Sequence, residues 1–458
     1  MRSACNRIPH FLPFSTKQNT THMYFSKHNI LSRIKDSDSF FILNPLLQQA
    51  DIITADEVKK IVAHDYSLPA LAEKKYILPI EEESKLYRQK YLEFIDTRET
   101  DEVQLFFVPW YTCNFACSYC FQDEYTNPNN ISSPELIDSF FSYIQTAFAG
   151  RQKYITIFGG EPLLPGAQYK EIISTLIHKA TEQHIDIAVV TNGYHIAEYI
   201  DILQTGHIRE IQVTLDGMQH MHDSRRMLRG GKPSFDTIVA GIDSLLEHKI
   251  PVNLRMVVDK ENIQELPKLA QFAIDKGWTS SPLFKTQLGR NYELHHCQTN
   301  NQRLYTRLEM YEDIYELCKT NPEILEFHKP AFSISKFLWE QGEMPSPLYD
   351  SCTGTKTEWA FDYTGSIYAC TATVGKTEER LGTFFPEISL NTNDIEEWQE
   401  RDVLSIDACK QCNVQLACGG GCAAVAKNNH GSVSAHDCRP ITELLELGIG
   451  LYFNVNST

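Results

Sequence analysis

The chain has 458 residues, of which 42% are hydrophobic and 22% charged, and its formal net charge is −17. This length predicts two or three domains of ordinary globular composition. The acidic balance, without a dense run of lysine and arginine, argues against a nucleic-acid partner. No apolar run approaches a membrane span, so the sequence predicts no membrane partner either.

Thirteen cysteines are present, and most of them occur in two groups. The chain is large and shows no evident signal peptide. This combination favours metal binding in a reducing cytoplasm over a disulfide framework.

The first 35 residues contain no Asp or Glu but carry scattered Lys and Arg. This composition is typical of an organelle transit peptide. It equally fits a disordered extension, or translated sequence upstream of a true start at Met23. We favour a disordered extension over residues 1–23.

Residues 24–100 predict a small N-terminal domain of mixed composition. Phe40–Leu43 reads as a short strand, and Thr54–Val58 as a helix start with acids in its first turn. Leu68–Pro69 and the charged stretch Glu81–Lys85 are expected to interrupt the domain further. Strand fragments followed by short helices predict an α+β, winged-helix-like module.

Beyond residue 104, β-rich apolar runs alternate with amphipathic helical stretches. Ser132–Glu135 combines a capping-box spacing with an early proline, which marks the first helix start. Six strand–helix repeats predict a parallel sheet curled into a partial (β/α)6 TIM-like barrel over residues 101–300, with its site at the carboxyl ends of the strands. The six runs are Leu105–Val108, Tyr154–Phe158, Ile185–Val190, Ile211–Leu215, Val252–Val258 and Leu283–Leu288.

Residues with chemical character follow the first four runs. Three cysteines come first, and three thiolates at this spacing can hold a 4Fe–4S cluster with one iron open to a ligand that is not a protein thiol. The motifs in chain order are Cys113-x3-Cys117-x2-Cys120, Gly159-Gly160-Glu161-Pro162, Thr191-Asn192-Gly193 and Asp216-Gly217.

The last part of the chain divides into a helical bridge, residues 301–350, and a Cys-rich tail, residues 351–458. Four thiolates commonly hold a structural zinc ion. Seven cysteines are awkward for zinc alone and suit two iron–sulfur clusters, on which such a weakly patterned fold would depend. The seven are Cys352, Cys370, Cys409, Cys412, Cys418, Cys422 and Cys438.

The order of these motifs resembles the radical S-adenosylmethionine (SAM) enzymes, and the tail resembles the SPASM domain of peptide-modifying members. The resemblance covers residues ~104–440. It implies a 4Fe–4S cluster on the first three cysteines, bound SAM, and a 5′-deoxyadenosyl radical that takes a hydrogen atom from substrate. It also implies two auxiliary 4Fe–4S clusters, one on Cys409, Cys412, Cys418 and Cys438, the other on Cys352, Cys370 and Cys422.

The resemblance also implies a cofactor-binding set at the strand ends. Glu161, in the motif with Gly159 and Gly160, matches the position that contacts the methionyl amino group. Arg226 is the candidate for the methionyl carboxylate, and Arg255 is its alternative. The remaining cofactor-facing positions are Thr191, Asn192 and Thr214.

This resemblance implies an enzyme that modifies residues of a ribosomally made peptide, by a thioether or carbon–carbon cross-link or another oxidation. Its partners would be a leader peptide docked on residues 24–100 and a reductase such as flavodoxin or ferredoxin. An alternative is maturation of a folded protein, such as sulfatase maturation or quinone-cofactor biogenesis. Thr371 disfavours the sulfatase form, whose enzymes carry Asp there.

Two further points stay open in the sequence. Some members of the family that this chain resembles supply a further cysteine just before the Cys352 position, but residues 346–351 here contain none. The nearer auxiliary cluster is therefore expected to have an iron open to a substrate group. The alternative from another class is a metal-stabilised binding or electron-transfer protein without radical chemistry. Such a protein would also explain the number of cysteines, but it would not need a Gly-Gly-Glu site. No residue stands out as the general base.

Overall fold

The computed structural model describes residues 23–120, 122, 130–290 and 302–453. All of the predicted N-terminal extension except Met23 therefore lies outside the described residues. Within them, no helix is both long and apolar enough to cross a lipid bilayer.

The N-terminal unit is α+β, as predicted. A three-stranded antiparallel sheet has the order β2-β3-β4, and β1 pairs with β5 in a second small sheet. Thr54 and Glu57 form a reciprocal capping box at the start of α1. The elements are β1 (Met23–Phe25), β2 (Ile30–Arg33), β3 (Phe40–Asn44), β4 (Gln49–Ile53), α1 (Ala55–Val62), α2 (Pro69–Glu73), β5 (Ile77–Pro79) and α3 (Ile80–Thr100).

The expectation that Glu81–Lys85 interrupts this unit is wrong. This stretch opens α3, a helix of 21 residues, with three glutamates in its first turn. Negative charge there is favourable because it faces the positive end of the helix dipole. Pro69 likewise begins α2, because a helix tolerates proline in its first turn.

Six parallel strands in sequential order confirm the predicted partial barrel. Ser133 caps the first crossover helix, accepting a hydrogen bond from the Leu136 amide. The strands are β6 (Val103–Val108), β7 (Lys153–Ile157), β8 (Asp186–Thr191), β9 (Ile208–Thr214), β10 (Val252–Val258) and β11 (Phe284–Arg290). The helices are α4 (Pro134–Ala147), α5 (Ala167–Glu182), α6 (Ile200–Leu203), α7 (Gln219–Arg225), α8 (Phe235–Glu247) and α9 (Leu266–Asp275).

The tail extends the barrel sheet, which the sequence analysis did not foresee. β12 pairs in parallel with β6, and β13, β14 and β15 follow it to complete ten strands. The strands are β12 (Glu358–Asp362), β13 (Ser366–Tyr368), β14 (Gly382–Thr383) and β15 (Ser389–Leu390). The bridge contains helices α10 (Arg307–Thr320), α11 (Ile324–Phe327) and α12 (Ser335–Gln341). The tail helices are α13 (Thr392–Gln399), α14 (Gln415–Cys418), α15 (Ala423–His430) and α16 (Ile441–Tyr452).

Helix α3 joins the N-terminal unit to the end of the bridge and to the tail. Tyr87, Tyr91 and Phe94 pack their rings around Tyr349, at centroid distances of 5.1, 5.3 and 5.6 Å. The Tyr91 hydroxyl also donates to Asp402 at 2.8 Å. Aromatic pairs of this kind stabilise beyond the area they bury, so α3 is part of the interface as well as of the N-terminal unit.

Candidate functional site

The cysteine loop after β6 is held by backbone hydrogen bonds to the segment that follows α7. The Ala116 amide donates to the Met227 carbonyl at 2.9 Å, and the Arg229 amide donates to the Asn114 carbonyl at 2.8 Å. The Arg229 side chain also donates from Nε to the Cys113 carbonyl at 3.1 Å. The loop is therefore fixed on one side before any metal binds.

The three thiols of this loop influence one another electrostatically. Burial, together with Glu161 and the Cys117 and Cys120 thiols, raises the pKa of Cys113 to about 12. A buried thiol in such surroundings stays protonated until a metal displaces the proton. Three thiols on one short loop are the donor set that the predicted cluster needs, although no three His, Cys, Asp or Glu side chains in the described part of the chain are arranged as a metal-binding group.

The two glycines after β7 bring their backbone against this loop. Gly160 has φ +50°, and a Cβ there would lie 2.8 Å from the Tyr111 carbonyl oxygen and closer still to that of Thr112. At Gly159 a Cβ would meet Val108 at 2.6 Å. Only glycine allows the turn after β7 to lie this close to the cysteine loop, so these two residues form the surface beside the cysteines.

Glu161 is buried and ties two strand ends together. Its carboxylate accepts hydrogen bonds from Thr191 Oγ1 at 2.6 Å, from the Asn192 amide at 2.6 Å and from the Leu163 amide at 2.7 Å. Burial raises the pKa of Glu161, and these three donors oppose the rise. Oε1 accepts from Thr191 and Leu163 and Oε2 from Asn192 alone, so Oε2 keeps a lone pair that can accept from an ammonium.

Asn192 links the third strand end to the cysteine loop. Its Nδ2 donates to Asn114 Oδ1 at 2.7 Å and lies 4.0 Å from the Cys113 sulfur. Thr191, Asn192, Glu161 and the cysteine loop therefore form one hydrogen-bonded group, although they come from three separate stretches of sequence.

Arg226 lies on the other side of the loop. Only 8% of the residue is exposed, and its NH1 donates to the Tyr119 hydroxyl at 2.7 Å. Its Nε has no hydrogen-bond partner. Burial opposes the charge of Arg226, but the adjacent Cys117, Tyr119 and Asp216 together raise its pKa above the ordinary value. A buried cation with an unused donor suits an anionic ligand.

A chain of buried ion pairs fixes Tyr119 from behind. The Tyr119 hydroxyl donates to Asp216 at 2.6 Å, and Asp216 pairs with Arg225 at 3.2 Å. Arg225 continues to Asp259 at 2.9 Å, and Arg303 bonds Asp259 at 2.5 Å. Arg303 returns to Ser118, next to Tyr119, at 3.2 Å. Arg225 and Arg226 are thus interior residues and not surface charges.

Thr214 and Arg255 stand side by side on adjacent strands β9 and β10. Arg255 donates from NH1 to the Gln212 side-chain oxygen at 3.4 Å, and a Cβ at Gly289 would lie 2.8 Å from its Nε. Arg226 contacts the cysteine loop directly through Tyr119, whereas Arg255 neighbours the polar residues of β9 and β11.

The tail thiols fall into two groups. Burial raises the pKa of Cys370 well above its usual range, and the next causes are Glu358 and the Cys352 thiol, with Cys422 also contributing. The Cys352 and Cys422 thiols thus act electrostatically on Cys370. These are the three cysteines that the family resemblance implies for one auxiliary cluster.

Backbone hydrogen bonds organise the segments that carry the other four cysteines. The Cys412 amide donates to the Cys409 carbonyl at 3.0 Å, which forms a turn with two intervening residues. Asp437, next to Cys438, donates its amide to the Gly420 carbonyl at 3.1 Å, beside the turn that follows Cys418. Arg401, fully buried, donates to the carbonyls of Gly420 and Gly421; the sequence analysis missed it.

The two ends of the β6–β12 pair carry different cysteine groups. Val108 pairs with Asp362 at one end, from which the chain continues to Cys113. At the other end Glu358 pairs with Gln104, and the Thr371 amide, next to Cys370, donates to Glu358 at 3.1 Å. The two ends are four residues apart along the strand, which is a distance of about 13 Å.

Comparison with known proteins gives a family for this site. Residues 107–273 match the model of the Radical SAM superfamily. A serine-type anaerobic sulfatase-maturating enzyme of Bacteroides thetaiotaomicron is 24% identical over 350 residues, which are 68% of this chain and 80% of the relative.

Two solved structures share the fold. Native anSMEcpe with bound AdoMet (SAM) has a TM-score of 0.58 and 19% identity, and the match covers 78% of this chain and all of that one. Streptococcus suis SuiB bound to precursor peptide SuiA has a TM-score of 0.50 and 14% identity, over 91% of this chain and 98% of that one.

Proposed function

We propose that this chain, which belongs to the radical SAM superfamily and is an enzyme of it, modifies residues of a ribosomally made peptide by a thioether or carbon–carbon cross-link or another oxidation. The observation that carries the proposal is the placement of a three-cysteine site and a second cysteine group at opposite ends of one continuous strand pair. A substrate held between them can lose a hydrogen atom at one end and an electron at the other.

The family's 4Fe–4S cluster, when bound, supplies the electron that splits SAM into methionine and a 5′-deoxyadenosyl radical. In our proposal Cys113, Cys117 and Cys120 hold the cluster. Glu161 fixes the strand ends and accepts from the methionyl ammonium, and Arg226 holds the methionyl carboxylate. The buried pairs around Arg226 keep it oriented, so little reorganisation accompanies binding.

The remaining cofactor residues have smaller roles. Gly159 and Gly160 let the cofactor approach the backbone, and Thr191 and Asn192 keep Glu161 and the cysteine loop in register. Thr214 faces the cofactor from β9, and Arg255 is the alternative carboxylate ligand. In the tail, Cys352, Cys370 and Cys422 would hold one auxiliary cluster, with an iron open to substrate, and Cys409, Cys412, Cys418 and Cys438 the other.

The N-terminal unit, in this proposal, docks the leader segment of the peptide. The β2 edge is already occupied, because Lys35, just beyond β2, donates its amide to the Glu446 carbonyl at 3.2 Å and Ser32 bonds the Glu446 side chain. In the described part of the chain β4 pairs with β3 alone, and Ile52 on it is 52% exposed. An added strand on β4 would gain backbone hydrogen bonds and a side-chain contact.

Other partners follow from the same chemistry. The cluster needs a one-electron donor such as flavodoxin or ferredoxin, and clustered thiols need a reducing compartment, which we propose is the cytoplasm. The acidic balance disfavours nucleic acid. We also propose that the protein does not act at a membrane.

Maturation of a folded protein is the second candidate. It is favoured by the Bacteroides thetaiotaomicron relative, which is a sulfatase-maturating enzyme by name. Thr371 stands where the sulfatase-maturing family carries Asp, which disfavours that particular substrate. Quinone-cofactor biogenesis remains within this second candidate.

Short peptides encoded beside the gene separate the two candidates. Reconstituted enzyme, SAM and a reductant should remove two hydrogen atoms from such a peptide, as seen by mass spectrometry. The variant Ile52→Asp should weaken binding of the labelled peptide while iron content stays unchanged. A peptide that is neither bound nor altered, beside a folded partner protein that is, would favour the second candidate.

A further inference from the structure

A cavity of about 320 Å³ lies at the end of the β6–β12 pair where the cysteine loop begins. Tyr111, two residues before Cys113, lines it on one side, and Asp362, the last residue of β12, lines it on another. Arg380 lines it from the exposed surface. A cavity of this size is at the lower limit for ligand pockets, so it has room for one or two substrate side chains and not for a folded domain.

The Asp362 side chain faces the inner side of the curved barrel sheet. Phe107 of β6 packs on Phe140 of α4 at a ring-centroid distance of 4.5 Å, so Val108, the next residue, faces away from that helix. Asp362 pairs with Val108 across the two parallel strands, and paired residues share a face. Val108 also packs in one buried cluster with Tyr111. The cavity therefore lies at the carboxyl ends of the strands, where barrels of this kind carry their sites.

The Asp362 carboxylate is 1% exposed, and its two oxygens have different partners. Oδ1 accepts from the Thr364 and Ser366 amides at 3.0 and 3.4 Å, which closes the turn after β12. Oδ2 accepts from the Tyr111 hydroxyl at 3.1 Å and from the Tyr368 hydroxyl at 3.2 Å. One oxygen thus holds the turn, while the other is bonded to two phenols that line the cavity.

These surroundings make Asp362 a stronger base than an exposed aspartate. Burial raises the pKa of Asp362, and the hydrogen bonds from Thr364 and the two phenols oppose the rise. The other titratable groups that line the cavity are Tyr363, on the same hairpin, and Arg380. A phenol bonded to a carboxylate can accept a proton on its oxygen while it passes its own proton on. Such a phenol begins and ends neutral, so only Asp362 changes its protonation state.

We propose that Asp362 accepts, through the Tyr111 hydroxyl, the proton that the substrate releases when its new bond forms. The inference rests on the proposed function, in which the peptide loses a hydrogen atom and an electron. Loss of two hydrogens requires that a proton leaves as well. The carbon radical bonds to the sulfur or carbon atom of a second substrate group, whose bond to hydrogen breaks. The proton goes to Asp362, and the electron goes to the cluster that the proposed function assigns to the tail.

Asp402 provides a matched control because its carboxylate has the same kinds of partners. Its Oδ1 accepts from the Leu404 and Ser405 amides at 2.7 and 2.9 Å, and its Oδ2 accepts from the Tyr91 hydroxyl at 2.8 Å. It is 5% exposed and packs at the α3 interface, away from the cavity lining. Asparagine at either position keeps an oxygen for the turn amides and removes the proton acceptor.

The test counts altered peptide per 5′-deoxyadenosine, which separates proton loss from the earlier hydrogen-atom step. Reconstituted wild type, Asp362→Asn and Asp402→Asn receive SAM, a reductant and a peptide encoded beside the gene that the wild type alters. Tyr111→Phe and Tyr91→Phe form a second matched pair, in which both carboxylates remain. Infrared difference spectra of wild type against Asp362→Asn, without peptide, follow the protonation of this carboxyl with pH.

We expect Asp362→Asn and Tyr111→Phe to bind the labelled peptide and form 5′-deoxyadenosine as the wild type does, but to yield about tenfold less altered peptide per 5′-deoxyadenosine. Asp402→Asn and Tyr91→Phe should keep the wild-type ratio. An unchanged ratio in Asp362→Asn or Tyr111→Phe, an equal fall in the matched controls, or a carboxyl that titrates at the ordinary aspartate value would overturn the proposal. A wild type that forms no 5′-deoxyadenosine would instead overturn the proposed function, and this inference with it.

Discussion

Replacing Gly160 by alanine is the most direct perturbation of the packing under the cysteine loop. A Cβ at this position would lie 2.3 Å from the Thr112 carbonyl oxygen, so loop and glycine turn must separate by at least 0.7 Å to reach 3.0 Å. The positive φ adds about 1 kcal/mol of backbone strain. Because Thr112 precedes Cys113, the displacement falls on the first thiol.

A matched variant separates strain from displacement. Gly150 has φ +77° with nothing within 4 Å of a Cβ, so Gly150→Ala carries similar strain without the clash. After anaerobic reconstitution, Gly160→Ala should lose most of the iron assigned to the three-cysteine loop, as measured by iron content and by the electron paramagnetic resonance (EPR) signal of the reduced cluster. Gly150→Ala should match wild type. Full loading of Gly160→Ala would refute the close-approach reasoning.

Three further results are expected. Arg226→Gln should weaken SAM binding by about tenfold or more in equilibrium dialysis, because a charge-assisted contact is lost; Arg209→Gln, whose cation lies over a distant tyrosine, should leave it unchanged. Burial raises the pKa of Glu83 to about 7 from its ordinary value of 4.5. The stabilising contribution of this carboxyl is therefore present below pH 4.5 and is lost as the pH rises through about 7. Glu83→Gln should abolish this pH dependence in hydrogen exchange of β1, and an unchanged pH profile would contradict the prediction. Tyr91→Phe, which loses the bond to Asp402, should speed exchange in α3 by roughly tenfold, and unaltered exchange would show that the bond contributes nothing.

The barrel was predictable because its signals are local. Apolar runs such as Val252–Val258 alternate with amphipathic helices at a fixed rhythm, and six repeats leave few arrangements. The cysteine spacing and the glycines after β7 are likewise short-range features. They point to the strand ends without knowledge of the fold.

Long-range pairing was not predictable in the same way. β12 joins β6 across some 250 residues, and its few residues have no pattern that names a partner. The buried ion pairs that link Asp216, Asp259 and Arg303 were not predictable either. A charged side chain is expected at the surface unless its buried partners are known. Glu81–Lys85 was misjudged because its charge suggested a break, whereas a helix start favours it.

The central claim is tested most directly by 5′-deoxyadenosine formation. Anaerobically reconstituted protein receives SAM and a strong reductant, with and without candidate peptide, beside a variant with Cys113, Cys117 and Cys120 all changed to alanine. We predict the product from the wild type and none from the triple variant. A wild-type protein fully loaded with iron and sulfide that forms no 5′-deoxyadenosine, even with a peptide it binds, would contradict the account.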